Sequence, residues 1–369
     1  MTRPDSPPLP PSPPTEGVKY AGSKLKLLPL ILELARRTGA RHLFDGFTGT
    51  SRVAQAFART GHRVTANDTS VWSEIFATCY LRNRESAARY QELIDHLNAL
   101  PPRDGWFTEH YGGDDRANGE KRPFRRHNTM KLDAVREEID RLSLSAVGKA
   151  VALTSLMLAL DKVDSTLGHF SSYLRAWSPR SRHQLRLEVP ALFPNDAEHA
   201  VHRADALVLA PNVEADLAYY DPPYGSNNDK MPPSRVRYAA YYHFWTTVCL
   251  NDRPALFGRV NRRADSADTA SASPFEEFRK DAEGRFLVIG ALDRLIRGTR
   301  APWIILSYST GGRATAAQVR ELLTAHGRVE EVVSVDHRRN VMAGMRWTNE
   351  WSRELSVPNR ELLFLLRKG

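Results

Sequence analysis

Apolar and polar positions along the chain switch between a helical period and short buried runs. Between Leu25 and Arg36, residues Leu27, Leu28, Ile31, Leu34 and Ala35 recur on one helical face, and Gly39 ends the run. His42-Leu43-Phe44-Asp45 then reads as a short buried strand, Gly46-Phe47-Thr48-Gly49-Thr50-Ser51 as a tight loop, and residues 53–59 as a helix closed by Gly61. A second strand over residues 62–66 runs into Asn67-Asp68. Strand, glycine loop, helix, strand and acid, in that order, suit a nucleotide-type ligand at the carboxyl edge of a parallel sheet.

From about residue 82 to 195 the pattern changes. Glycine, charge and aromatics dominate residues 106–128, a helix follows around 131–142, then a buried helix at 147–160 and a basic loop through Gly168-His169-Phe170. The α/β pattern returns at 202–209 and 215–221, with a strand at 303–307, a helix at 316–326 and strands at 329–335 and 361–366. Residues 260–275, small and polar, read as a mobile loop. The spacing predicts a doubly wound α/β sheet (residues 16–81 and 196–369) interrupted by an inserted, mainly helical region at 82–195. Residues 1–15 hold seven of the 23 prolines and read as a disordered leader.

Composition narrows the function. No apolar stretch reaches the roughly 18 residues of a membrane span, and the N-terminus lacks the apolar segment of a secretory signal. Two cysteines, Cys79 and Cys249, are too few for a disulfide framework or a cysteine-rich zinc site, so the expectation is a cytoplasmic protein without a metal. The formal net charge is +9, and 42 of the 52 basic residues are arginine, which points to a polyanionic partner.

The sharpest chemical signal is Asp221-Pro222-Pro223-Tyr224 at the end of a predicted strand. Two prolines remove two backbone donors and stiffen the chain, leaving a carboxylate, carbonyl acceptors and an aromatic face. That set suits a planar ring bearing an amino group.

These residues, with others in order along the chain, resemble the DNA N6-adenine methyltransferase family in its alpha-class motif order. Lys19-Tyr20-Ala21-Gly22-Ser23-Lys24 is similar to the family's N-terminal Lys-aromatic-Ala-Gly-Gly-Lys motif, and Asp45–Ser51 to its Phe-x-Gly-x-Gly loop. Arg203-Ala204-Asp205-Ala206 resembles the acidic motif upstream of the catalytic one, and Asn359-Arg360-Glu361-Leu362-Leu363 the closing strand. Ser23 and Ser51 stand where the family has glycine.

The resemblance implies a Rossmann-like, S-adenosylmethionine-dependent methyltransferase fold with an inserted target-recognition region. It implies methyl transfer to the N6 amine of a flipped-out adenine in double-stranded DNA, with a cognate restriction endonuclease as a further candidate partner. Asp221, Pro222, Pro223 and Tyr224 are its catalytic residues: Asp221 and the Pro222 carbonyl accept from the amine, and Tyr224 stacks on the base. Tyr20, Lys24, Asp45, Phe47, Thr48, Gly49, Asp68, Asp205 and Asp221 are its cofactor set. In that set Asp68 serves the ribose and Asp205 the adenine amino group, unless Asp205 merely caps a helix. Lys19 and Lys24 remain open between the methionine carboxylate and phosphates.

In the insertion, Arg122, Arg125, Arg126, Arg175, Arg180 and Arg182, with Arg186, are candidates for DNA phosphates or guanine edges. Phe124, His169, Phe170 and Tyr173 could intercalate or fill the gap left by a flipped base. Two alternatives keep the fold: transfer to RNA adenine or cytosine N4, and a catalytically silent DNA-binding protein. A nicotinamide oxidoreductase predicts a Gly-x-Gly-x-x-Gly fingerprint that this loop lacks.

Overall fold

The computed structural model of the chain describes residues 11–114, 122–174, 176–225, 238–267, 273–277, 279–336 and 360–369. Seven strands form the central sheet: β1 (His42–Asp45), β2 (Arg63–Asp68), β3 (Ala200–Arg203), β4 (Leu217–Tyr220), β5 (Trp303–Ser309), β6 (Gly327–Asp336) and β7 (Arg360–Lys368). Their spatial order is β6-β7-β5-β4-β1-β2-β3. Strands β1 to β5 run parallel, and β7 is antiparallel to both of its neighbours. The chain builds outward from β1 through β2 to β3, then returns to the other side of β1 with β4. The loops that leave β1 and β4 therefore diverge at a topological switch point, where open α/β sheets bind their ligands.

Register and pleat decide what each face buries. Ile304 of β5, Ala218 of β4, Phe44 of β1 and Thr65 of β2 lie on one line across the sheet. Successive side chains point to opposite faces. On one face Leu43, Tyr219, Ile305 and Leu363 pack with α1 (Leu28–Thr38) and α2 (Arg52–Arg59). The other face carries Phe44, Tyr220, Ile304 and Phe364. They meet helices over Val288–Gly298 and Ala316–Thr324. Each fully buried Leu, Ile or Phe side chain contributes about 1.5–3 kcal/mol.

Local chemistry sets several helix ends. Pro29 opens α1 and Gly39, at φ 68°, closes it in the left-handed conformation. The helix over Ala316–Thr324 begins with a reciprocal Thr315–Gln318 capping box.

A third core lies beside the sheet. It joins α3 (Val71–Leu81) to α4 (Gln91–Ala99), α5 (Trp106–Tyr111), α6 (Arg126–Arg141), α7 (Ala146–Val163) and α8 (His243–Leu250). Cys79 and Cys249 are packed inside it. Helix α6 starts five residues before the apolar spacing predicts. Its first turn contains buried polar residues: Asn128 accepts from the Leu185 amide (2.7 Å) and donates to the His183 carbonyl (2.9 Å), so no apolar period marks it. Helix α8 and the helix over Val288–Gly298 had no counterpart in the sequence reading.

The segment expected as a mobile loop is fastened where it is described. Arg262–Arg263 is a short strand, and buried Arg263 grips Asp252 and Asp265. Thr15, assigned to the leader, accepts a hydrogen bond from Arg52. Among the described residues, no helix is long and apolar enough to cross a membrane.

The turn after β1 is shaped by close approach. A Cβ at Gly46 would fall 2.5 Å from the Tyr220 ring. Ser51, fully buried, adopts φ 57° and ψ 15°, the left-handed region that favours the glycine expected there from the motif resemblance. Its hydroxyl accepts from Gln55 (3.0 Å), which offsets part of that strain. Ser23 has no positive φ, so the other serine-for-glycine exchange is unstrained.

Three stability outcomes follow from this packing. Ser51→Gly should change the unfolding free energy by less than about 1 kcal/mol, since strain relief and the lost hydrogen bond nearly cancel. Ser51→Val, β-branched in a left-handed site, should cost about 2 kcal/mol or more in denaturant unfolding. Arg136, 1% exposed, donates to the Val248 and Cys249 carbonyls at the end of α8 (2.6 and 3.0 Å). Arg136→Leu orphans both carbonyls and should cost about 3 kcal/mol by the same measurement.

Candidate active site

Strand β4 ends in the stiff Pro222-Pro223 step, and Asp221 immediately before it reaches the carboxyl edge of the sheet. Lys24, only 6% exposed, places its Nζ 2.8 Å from Asp221 Oδ2 and 3.3 Å from Glu361 Oε1 on β7. The same ammonium donates to the Gly22 carbonyl at 2.9 Å. Asp221 Oδ1, also buried, has no hydrogen-bond partner among the described residues. The Asp221 carboxyl is pushed up to about 6 on balance: burial raises it most, Lys24 opposes the rise, and Glu361 adds to it. Burial opposes the charge on Lys24, but Asp221 and Glu361 together hold its pKa above the ordinary lysine value.

The glycine loop closes against the neighbouring strands. Gly46 N–H donates to the Tyr219 carbonyl at 3.0 Å and Thr48 N–H to the Asn67 carbonyl at 2.8 Å. Asp68 at the end of β2 accepts from the Gly49 and Ser70 amides, both at 2.9 Å. Burial raises the Asp68 carboxyl, and these two donors oppose the shift. Asp45 accepts from Thr48 Oγ1 at 3.0 Å through one oxygen and leaves the other buried and unpartnered. Burial drives its carboxyl up to about 7.

These groups line one cavity of about 580 Å³, within the size range of small-molecule sites. Every residue of the predicted cofactor set faces it: Tyr20, Lys24, Asp45, Phe47, Thr48, Gly49, Asp68, Asp205 and Asp221. Tyr20 stacks on Tyr242 with ring centroids 4.8 Å apart, and Phe47 meets Phe275 edge-on at 5.2 Å. Asp205 caps the short helix Ala206–Leu209 by accepting from the Leu207 amide at 2.9 Å. The capping alternative thus holds for its Oδ1, on a side chain that still borders the cavity. Of the catalytic motif, Asp221 and Pro223 border the cavity, Pro222 is buried, and Tyr224 lies beside it against Tyr308 at 5.5 Å. The Tyr224 carbonyl accepts from the Arg313 amide, which anchors the turn.

Several expectations need correction. Lys19 turns away from the cavity and binds Asp164 at 2.8 Å, near the end of α7. Lys24 faces the cavity, but its charge is spent on two protein carboxylates rather than left for an anionic ligand. Phe124, His169, Phe170 and Tyr173 are all buried; they are core residues, and none is placed to intercalate. Phe170 stacks on Phe244 at 4.6 Å, and His169 on Tyr241 at 4.7 Å.

Most of the candidate DNA-contacting arginines are internal fasteners. Arg122 donates to the His110 carbonyl, Arg125 lies over the Trp177 ring, Arg126 pairs with Asp104, and Arg180 binds Asp164. Arg182 and Arg186 are exposed. Arg175 lies outside the described residues, as does Asn359 of the closing motif.

The sequence reading assigned no role to Glu361, Trp72, Tyr238 or Phe275. A single acid at the head of the apolar run Leu362–Leu366 was the available signal for Glu361. The aromatics had none, because a buried ring at a cavity wall and one in a core give the same pattern.

Comparison with known proteins agrees with this geometry. Residues 20–247 match the model of the D12 class N6 adenine-specific DNA methyltransferases. The chain is 29% identical to the Type II methyltransferase M.NlaIII of Neisseria lactamica, over 87% of this chain and 92% of that protein. It is 27% identical to the modification methylase StsI of Streptococcus sanguinis, over 83% of this chain. It is 23% identical to the Type II methyltransferase M.FokI of Planomicrobium okeanokoites, over 85% of this chain. The aligned part spans just under half the length of these last two relatives. With the motif order, the switch-point cavity and a match over most of its length, the chain belongs to the D12 class N6 adenine-specific DNA methyltransferase family.

Proposed function

We propose that the cavity binds S-adenosylmethionine and that Asp221 and the Pro222 carbonyl receive the N6 amine of an adenine extruded from duplex DNA. The observation that carries this reading is the buried, unpartnered Oδ1 of Asp221 at the cavity wall, with its other oxygen already held by Lys24. An orphaned buried acceptor is costly unless a ligand supplies the donor.

The residues present fit the donor. The cavity has the right size, Asp45 offers a second orphaned oxygen, and Gly49 and Gly46 leave the loop free of side chains. Asp68 and Asp205 retain lone pairs for hydroxyl and amino donors. When bound, the cofactor supplies an electrophilic methyl group. Asp221 and Pro222 do the rest by position. An aromatic amine delocalises its lone pair into the ring, and engaging both N–H groups in acceptors favours a pyramidal nitrogen whose lone pair can be aimed. The Tyr224 ring offers the face against which the base stacks.

The Type II and modification-methylase names of the relatives support a role in protecting DNA beside a cognate restriction endonuclease, in the cytoplasm. Arg182 and Arg186, exposed on the inserted region, are the phosphate contacts we favour from the arginine set.

Three measurements test this reading. Modification-sensitive sequencing of DNA from cells expressing the enzyme should find N6-methyladenine at one short sequence. Asp221→Ala should cut transfer on the order of a thousandfold while duplex affinity stays near wild type. Retained methylation removes Asp221 from its role. Arg182→Ala and Arg186→Ala should each lower the slope of log affinity against log salt by about 1. An unchanged slope puts the DNA surface elsewhere.

A further inference from the structure

Strand β7 carries one acid, Glu361, at its second position. Its side chain is 2% exposed and does not border the cavity. Oε1 accepts from Ser307 Oγ of β5 at 2.7 Å and lies 3.3 Å from Lys24 Nζ, while Oε2 is buried and unpartnered. A buried ion pair is weak evidence of a stabilising role, because such pairs often only break even against well-packed apolar residues. It stands one residue away, through Lys24, from the carboxylate read above as the amine acceptor.

We propose that Glu361 is a positioning residue for methyl transfer: through Lys24 it selects which oxygen of Asp221 faces the target amine and sets how strongly that oxygen accepts a hydrogen bond. This rests on the reading of Asp221 as the acceptor. Lys24 sits between two carboxylates, and the pull of Glu361 keeps its Nζ at Oδ2 instead of bridging both Asp221 oxygens. Oδ1 is thereby left open. The negative charge of Glu361 also cancels part of the Lys24 field, so Asp221 is ionised at neutral pH yet remains more basic than an ordinary aspartate. A more basic acceptor binds the amine hydrogen more strongly.

The groups that act on Asp221 can be named. Lys24 is the cation, and Glu361 and Asp45 are the acids. Tyr20, Tyr219, Tyr224 and Tyr238 are phenols that burial holds neutral. Asp45 titrates near 7, in a neighbouring range, so rates are to be read at saturating methyl donor, where its effect on donor binding drops out.

The test is single-turnover transfer to a duplex containing the methylated sequence, between about pH 5 and pH 9. The working form of Asp221 is ionised, so the wild-type rate falls as pH drops through about 6. Glu361→Gln keeps a partner for Ser307 and Lys24 but removes the charge. Its acidic limb should move down by about one pH unit and its plateau rate fall about threefold, with duplex and donor affinities unchanged. Glu361→Asp, with the charge retained but withdrawn, should give an intermediate limb. Infrared titration of the Asp221 carboxylate, identified by its loss in Asp221→Asn, should shift in the same direction without donor or DNA.

A folded Glu361→Gln enzyme whose limb and infrared titration match wild type overturns the proposal, as does a shift to higher pH. If Glu361→Gln does not fold, Glu361→Asp decides: wild-type rate and limb overturn it. Wild-type transfer by Asp221→Asn would instead overturn the acceptor reading itself, a separate failure.

Discussion

The charged groups at the carboxyl edge of the sheet hang on one buried ammonium. Lys24 precedes the first helix, Asp221 follows β4, and Glu361 lies on β7, so the contact ties together segments separated by most of the chain. Such a cluster is tolerable because the ammonium meets both carboxylates, although Asp221 Oδ1 and Glu361 Oε2 stay unpartnered; a lone buried charge would cost several kcal/mol. The sheet makes the meeting possible. Strand β4 lies between β1 and β5, β7 pairs with β5, and Ser307 on β5 reaches across to Glu361. The parallel strands thus act as a ruler that sets the spacing of the three charges.

The alternation of short buried runs with helical faces made the sheet legible, and β1, β2, β5 and β7 fall within a few residues of where the pattern puts them. The cavity wall was legible too, because glycines and terminal acids at strand ends have few other uses. What escaped detection shares a physical cause. Helix α6 begins with buried polar residues whose partners are distant in sequence, and Glu361 meets a lysine from near the other end of the chain. Periodicity reports burial along one element; it carries no information about which distant group satisfies a buried polar atom.

The arginines of the inserted region make the same point about charge. A net charge of +9 suggests a partner, yet Arg122, Arg126 and Arg180 are occupied with carbonyls and carboxylates of this chain. Arg136 goes further and works as the C-terminal cap of another helix. Arginine offers five donors on a planar fork, so it is as useful for stapling loops and helix ends as for gripping phosphate. Counting basic residues therefore overstates the surface available to a polyanion.

The two bonds that Asp68 accepts from Gly49 and Ser70 bear on how tightly a ligand can be held. They fix the loop before any ligand arrives. Ordering a free backbone costs on the order of 1–2 kcal/mol per residue, a sum that association would otherwise have to supply. Here that entropy is lost once, when the chain folds, and is not charged again at each turnover. If the cavity holds the methyl donor as proposed above, product and reactant meet an equally rigid wall, so the loop by itself discriminates little between them. Under the proposed function, release of the spent ligand is then governed by the contacts that differ between the two.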